Sequence, residues 1–273
     1  MNKFKKKCLE ISSALVATIF MFIPEALFEK YTIFPNLSIE INVIINRFLF
    51  AIFLTVIVVW RYKRYIDKRK TITIKGKDYI IEVRYGDIIE ETNCKKVINF
   101  DECYTTEVGE LKHQIKTTTV CGQYLLKNPN IDIDKLIVNA NLKEAKKKSK
   151  FQNKIRYDSG KLVPNGDDLL MAFVKLDEEG VGRFFSFQEY IDSLLTLWEE
   201  VDKYYGQKDV CIPILGSGLT RINEQRLTQQ ELLDIMIMTY KLSAHKIKKP
   251  YKLCIICKEN DDFSLNKIGE SLL

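Results

Sequence analysis

Histidine is nearly absent from this chain: His113 and His245 are the only two in 273 residues. The seven cysteines are odd in number and follow no framework spacing, which excludes a disulfide scaffold and suits a reducing compartment. Cys254 and Cys257 form C-x-x-C, but inside YKLCIIC, which reads as a buried strand. Zinc would want a turn there and a second ligand pair. The cysteines are therefore expected to be structural, and no metal centre is expected. A strong excess of one charge is also missing. The 42 Lys+Arg against 36 Asp+Glu leave a net charge of +6, short of the basic field of a dedicated nucleic-acid binder. No nucleic-acid partner is expected, and no internal repeat is evident.

What the chain has in excess is apolar sequence at its start. Leu9 to Phe28 is apolar except for Glu10 at its beginning and Pro24-Glu25 near its end. Ile41 to Trp60, INVIINRFLFAIFLTVIVVW, is a second such run. Each is about 20 residues long, the length that crosses about 30 Å of hydrocarbon. KFKKK (3–7) and RYKRYIDKRK (61–70) flank the pair on one side, and the connecting loop has no positive excess. The positive-inside rule then predicts a multi-pass hairpin with both ends cytoplasmic. Trp60, Tyr62 and Tyr65 beside the second basic cluster read as an interfacial belt. A cleaved signal peptide and a pair of soluble core helices are the competing readings. The first lacks a small-residue cleavage site and is followed by a second span. Arg47 is the one charge well inside the second run. It either snorkels outward or faces a helix contact or pore, near Glu25 or Glu40. Residues 1–70 are expected to form this transmembrane hairpin.

Residues 71–273 alternate between strand-like and helix-like patterns, which predicts an α/β domain. YIIEVR (79–84), KKVINF (95–100), DLLMAFVKL (168–176), DVCIPIL (209–215) and YKLCIIC (251–257) read as strands. Residues 186–206 read as a helix capped by Ser186 with Glu189, with Ile191, Leu194, Leu195, Trp198 and Val201 on one face and Gly206 at its end. Residues 228–242 read as a second helix, capped by Thr228 with Glu231. A short helix is expected to close the chain. The stretch 128–165 is less regular. Its lysine run, KEAKKKSK (143–150), is either a solvated surface or a contact with anionic lipid.

Three segments fall at strand ends: YGDIIE (85–90), VINFDE (97–102) and IPILGSGLTRI (212–222). In open α/β sheets ligands bind at the carboxyl ends of strands. Gly216, Ser217 and Gly218 permit backbone N–H groups to curl round an anion, though a plain tight turn needs the same residues. Together the segments could hold a nucleotide diphosphate. Asp87 would accept from an adenine amino group, the Gly-Ser-Gly turn would hold the phosphates, and Arg221 would add a charge-assisted bond.

Residues 72–273 resemble macro domains, a three-layer α/β/α fold that binds ADP-ribose. The resemblance places Asp87 and Ile88 against adenine. It sets Leu215, Gly216, Ser217, Gly218, Leu219 and Thr220 around the diphosphate and distal ribose. VCGQYL (120–125) resembles a first phosphate loop, which brings Cys121 and Gly122 close. Asn99 would touch ribose, with Asp101 beside it. The chain departs from hydrolytic macro domains: the second asparagine and the glycine run after that strand are absent. No catalytic pair is expected, and the domain looks like a reader without a cofactor. Asp101 and Glu102 keep hydrolysis open, because a carboxylate near the distal ribose can serve as a base.

The anchor joined to this domain is similar to the membrane effectors of bacterial Thoeris anti-phage defence. That resemblance implies an ADP-ribose-derived signal, such as histidine-ADP-ribose, made by a TIR-domain partner that consumes NAD. It implies homo-oligomerisation, contact with membrane lipid, membrane disruption, and residence in the bacterial inner membrane. The alternatives are a membrane-anchored ADP-ribosyl hydrolase and a passive anchor whose domain binds proteins.

Overall fold

The computed structural model describes residues 3–24, 26–67, 69–184, 186–218, 220–222, 226–260 and 263–268. Glu25 and Leu219, both weighed above, lie outside the described residues. The chain divides into two compact units, Met1–Arg69 and Lys70–Leu273.

The first unit holds helices α1 (Lys3–Phe22), α2 (Ala26–Glu29) and α3 (Ile39–Asp67). Within α3, Ile39–Tyr65 is long and apolar enough to cross a membrane, at 27 residues. That is about 40 Å of helix against about 30 Å of hydrocarbon. The first apolar run differs from expectation. Its helix stops at Phe22, and the apolar part, Glu10–Phe22, reaches only about 20 Å. Pro24 is the reason: it disfavours helix in the residue before it and clashes with the preceding turn. The Ile23 N–H turns back to Phe20, and α2 restarts as a separate turn beyond the proline. Two asparagines of α3 hold the connecting loop. Asn42 donates to the Phe34 and Leu37 carbonyls and accepts from the Phe34 N–H, while Asn46 donates to Phe28 and Tyr31. The rings of Phe20, Phe28 and Phe50 interlock at 5.7–6.1 Å. The Arg47 guanidinium lies over the Phe28 ring at 5.9 Å, a cation–π contact inside the hairpin itself.

The second unit is built on one mixed sheet. Its described strands are β1 (Thr71–Lys75), β2 (Ile80–Tyr85), β3 (Lys95–Asp101), β4 (Leu162–Asn165), β5 (Asp168–Leu176), β6 (Gly182–Phe184), β7 (Val210–Pro213), β8 (Arg221–Ile222) and β9 (Leu253–Cys257). The spatial order is β1-β2-β9-β7-β3-β5-β6-β8, with β4 also on β5. The five strands from β2 to β5 run parallel, and β1, β4 and β6 pair antiparallel with their neighbours. Side chains alternate across the sheet, so each parallel strand feeds two cores. Val97, Leu169, Met171, Phe173, Ile212 and Ile255 meet helices α6 (Phe187–Tyr204) and α7 (Gln229–Leu242) on one face. Ile98, Phe100, Leu170 and Ala172 meet α4 (Val120–Lys127) and α5 (Ile133–Asn139) on the other. The result is a three-layer α/β/α domain.

The caps behave as their chemistry requires. Ser186 accepts from the Glu189 N–H at the start of α6, and Thr228 with Glu231 completes a reciprocal box on α7. Gly206 takes a φ of +56° just past α6. The strand expected through Leu215 ends at Pro213, two residues sooner. The lysines of the 143–150 run are exposed, while Ser149 turns inward.

Candidate functional site

A cleft of about 510 Å³ opens at the carboxyl ends of β3, β5, β7 and β9. Its floor includes Asn99 and Asp101 from β3, Pro213 and Ile214 at the end of β7, and Ile256 from β9. The Gly-Ser-Gly turn forms one wall through Gly216, Ser217 and Gly218, with Thr220 beyond it. Residues 112–121 and 180–182 form the facing rim. Two helices begin at this cleft: Thr119, Val120 and Cys121 open α4, and Gln229 opens α7. Helix N-termini carry partial positive charge that favours an anion here, although at α7 the Glu231 carboxylate of the capping box already offsets part of it.

The turn follows directly from its residues. Gly216 has a φ of +87°, open to glycine at little cost. The Ser217 N–H and hydroxyl both donate to the Ile214 carbonyl, at 3.3 and 2.7 Å. Gly218 differs, because a methyl group added there would meet no atom within 4 Å. Its carbonyl accepts from Arg226 at 2.8 Å. Arg226, Lys258, Lys112 and Lys116 line the cleft beside the Asp101 carboxylate, with Lys112 and Lys116 already paired to Glu179 and Glu110 at 3.0 and 3.2 Å. The cations left without a carboxylate partner among the described residues, Arg226 and Lys258, favour an anionic ligand.

Asp101 sits just past a register shift between Phe100 and Asp101. Its carboxylate accepts from the N–H groups of Cys103 and Thr105, at 2.7 and 3.3 Å. Burial nevertheless pushes its pKa above the usual carboxylate range. Cys121 lies in the cleft wall, and burial raises its thiol well above normal, which keeps it protonated and a poor nucleophile. Glu102 is committed elsewhere. Its carboxylate accepts from Ser149 at 2.5 Å, Arg156 at 3.0 Å and the Leu176 N–H at 3.1 Å. A buried carboxylate so saturated ties residues 149–156 to the sheet and is not placed to act as a base.

Of the residues singled out in the sequence, the cleft gathers Asn99, Asp101, Cys121, Gly216, Ser217, Gly218 and Thr220. Others stand apart. Asp87 lines a neighbouring depression with Gly86 and Lys258, and it accepts from the Ile89 N–H to cap a 3-10 turn at Ile88–Glu90. Ile88 is buried in a cluster with Cys211 of β7 and Cys254 and Ile256 of β9. Leu215 is a core residue whose carbonyl points at Tyr190. Arg221 is exposed on β8. Gly122 lies in the first turn of α4 rather than in a loop, and its N–H is taken by Thr119 at 3.1 Å. A side chain there would strike the Lys116 carbonyl at 2.2 Å, so the glycine serves close packing. Arg226, Gln229 and Lys258 escaped the sequence reading. Arg226 had a local signal only in its nearness to the Gly-Ser-Gly turn.

A family model described as "Thoeris protein ThsA, Macro domain" matches residues 81–258. The chain belongs to this ThsA macro-domain family. Thoeris protein ThsA of Bacillus amyloliquefaciens (strain Y2) is 30% identical over 258 residues, covering 91% of this chain and 85% of that protein. Among solved structures, the chain is similar to the Oceanobacillus iheyensis macrodomain with ADP, at 12% identity, 70% of this chain, 90% of that chain and a TM-score of 0.44. The same macrodomain with MES bound matches at 12% identity, 70% and 89% coverage, and a TM-score of 0.42. The ThsA-family macro domain thus carries the cleft, and the N-terminal helices precede the matched region.

Proposed function

We propose that this protein is a membrane effector of Thoeris antiviral defence whose macro domain senses an ADP-ribose-derived nucleotide. The observation that carries the reading is the cleft. It joins Asn99, Asp101, the Gly-Ser-Gly turn and two helix N-termini at the strand ends of a ThsA-family macro domain. A floor of mixed polar and apolar residues, a cationic rim and a small-residue turn match a nucleoside diphosphate with a second sugar. The signal, for which histidine-ADP-ribose is the named candidate, would be supplied by a TIR-domain enzyme that consumes NAD.

Sensing requires that the ligand bind an assembled state more tightly than the resting one, since equal affinity shifts nothing. Homo-oligomers would then bring copies of the apolar helix together and disrupt the inner membrane. Support for the membrane part comes from Ile39–Tyr65 and the basic residues at both ends of the hairpin.

The test is calorimetric titration of the full-length protein in detergent with ADP-ribose, its amino-acid conjugates, NAD and AMP, checking every ligand afterwards for breakdown. Tight binding of an intact ADP-ribose derivative is expected. Absence of binding by all four would defeat the reading. A second reading, hydrolysis, is favoured by one feature: the Asp101 carboxyl in the cleft with its pKa raised by burial. Ligand breakdown that is lost in Asp101→Asn would put hydrolysis first.

A further inference from the structure

We infer that Glu91, Cys94 and Cys211 form a binding site for a thiolate-seeking divalent cation, zinc by preference, on the side of the sheet away from α6 and α7. One donor atom from each residue lies within 4.8 Å of the other two. Glu91 and Cys94 come from the segment between the 3-10 turn and β3, and Cys211 comes from β7. Cys254 stands beside Cys211 in the β7–β9 register. Its sulfur is not one of the three mutually close donor atoms, so Cys254 stands beside the site rather than in it. Cys94, Cys211 and Cys254 are 5%, 1% and 2% exposed, so water would be largely excluded from the ion.

The geometry and the charge both fit. Tetrahedral zinc with Zn–S bonds of about 2.3 Å sets its donors about 3.8 Å apart. The three donors need to close by about 1 Å at most to reach that spacing. On loading, the Sγ–H bonds of Cys94 and Cys211 break, two metal–sulfur bonds form, and two protons leave for solvent. Two thiolates and the Glu91 carboxylate then carry three negative charges. The divalent cation supplies two positive charges. Arg84, bonded to both oxygens of Glu91 at 2.7 and 2.6 Å, supplies the third, and its second partner Glu82, at 3.1 Å, is balanced by Lys252 at 2.6 Å. A neutral buried cluster avoids the penalty that an unpaired charge would carry there.

Thiolate donors select zinc over magnesium or calcium. The sequence neighbour Cys257 is no part of the site, because it faces the opposite core. None of the three donors lines the ligand cleft. The ion would instead clip residues 87–94, and with them Asp87 and Ile88, to the centre of the sheet. This site stands independently of the nucleotide reading.

The experiment uses the full-length protein in detergent, reduced, stripped with a chelator and titrated with cobalt(II) alone. The expected result is a thiolate-to-cobalt charge-transfer band that saturates at one ion per chain and is displaced by zinc. Cys94→Ser and Cys211→Ser should lose the band, and Cys257→Ser should keep it. Glu91→Gln, at a half-buried position, should keep the band but bind more weakly, and it keeps the test decisive if a core serine prevents folding. No band in the wild type, a band unchanged in Cys94→Ser, or an unchanged affinity in Glu91→Gln would each overturn the inference. So would a Cys94–Cys211 disulfide in protein that takes up no cobalt after reduction.

Discussion

The Tyr190 hydroxyl donates to the Leu215 carbonyl at 3.0 Å, joining α6 to the last residue before the Gly-Ser-Gly turn. From the other helix, Met236 Sδ meets the Leu215 N–H at 3.3 Å. The entry to the turn is therefore gripped by both helices of one layer, while Ser217 and Gly218 stay exposed at the cleft. A rigid base with an open tip is the arrangement that lets backbone groups meet a ligand without reordering first.

Tyr190→Phe tests that grip. Burial drives the Tyr190 phenol far above its usual pKa, so it remains a donor through the physiological range. Its loss leaves the Leu215 carbonyl buried and unpaired, at a cost of about 1–3 kcal/mol. Denaturant unfolding should show that loss in the midpoint. An unchanged midpoint would mean the bond contributes nothing.

Valine at the two glycines should separate folding from binding. At Gly216, with a φ of +87°, a side chain is strained by roughly 1–2 kcal/mol, and the melting temperature should fall. At Gly218 nothing lies within 4 Å of an added methyl group, so stability should hold while the side chain enters the cleft. Ligand affinity of Gly218→Val should drop by more than about tenfold, or about 1.4 kcal/mol. Full affinity in that variant would remove the phosphate-turn assignment.

Asp101 carries a pH signature. Its carboxyl is raised by burial, ahead of the lowering effect of its hydrogen bonds from Thr105 and Cys103. The folded state therefore holds this proton more tightly than the unfolded chain. The stability it contributes is full below the ordinary carboxylate pKa and is lost as pH rises through the folded value. Asp101→Asn keeps the acceptor for Cys103 and should flatten the fall in stability above about pH 4. If the wild-type and variant curves run parallel there, the carboxyl is not perturbed.

How much of this was legible in the sequence depends on whether the signal was local. Helix α6 was readable from a cap, an apolar face and a stop within one window, although Leu195 of that face is exposed, and α7 was readable from its capping box. The five parallel strands were readable as apolar runs, since both faces are buried. The short strands β1, β4, β6 and β8 were not, and α5 was lost in a stretch without a strong period. The close packing of Gly122 against the Lys116 carbonyl was not legible, because a glycine that packs against a carbonyl looks the same in sequence as one that cradles phosphate. Pro24 carried its helix-stopping signal, but mean apolarity outweighed it. The meeting of Glu91 with Cys211, and of Gly218 with Arg226, depends on the tertiary fold.

Arg226→Ala should weaken ligand binding about tenfold or more, since a charged hydrogen bond contributes roughly 1.5–3 kcal/mol. The guanidinium lines the cleft and holds the Gly218 carbonyl at 2.8 Å, so it can act on the ligand and on the turn together. A direct contact with phosphate predicts that the variant's affinity also depends less on salt. An affinity equal to wild type at low salt would place the ligand elsewhere.

The last prediction concerns α3. Phe53 is 60% exposed near the middle of Ile39–Tyr65, where a spanning helix would present it to lipid. Arginine at that depth costs about 2.5–3.5 kcal/mol on insertion scales. Arg47 is tolerated for a different reason, because it lies nearer the loop and has the Phe28 ring beneath it. Wild-type protein should therefore stay in the membrane pellet after an alkaline carbonate wash, and Phe53→Arg should leave the pellet or be degraded. A helix that merely shields a soluble partner would behave oppositely: the wild type would wash off, and an exposed arginine would improve its recovery in the supernatant. Glu40, near the start of the helix, is the matched control, since Glu40→Arg places the same side chain where water can reach it and should leave the pellet fraction unchanged.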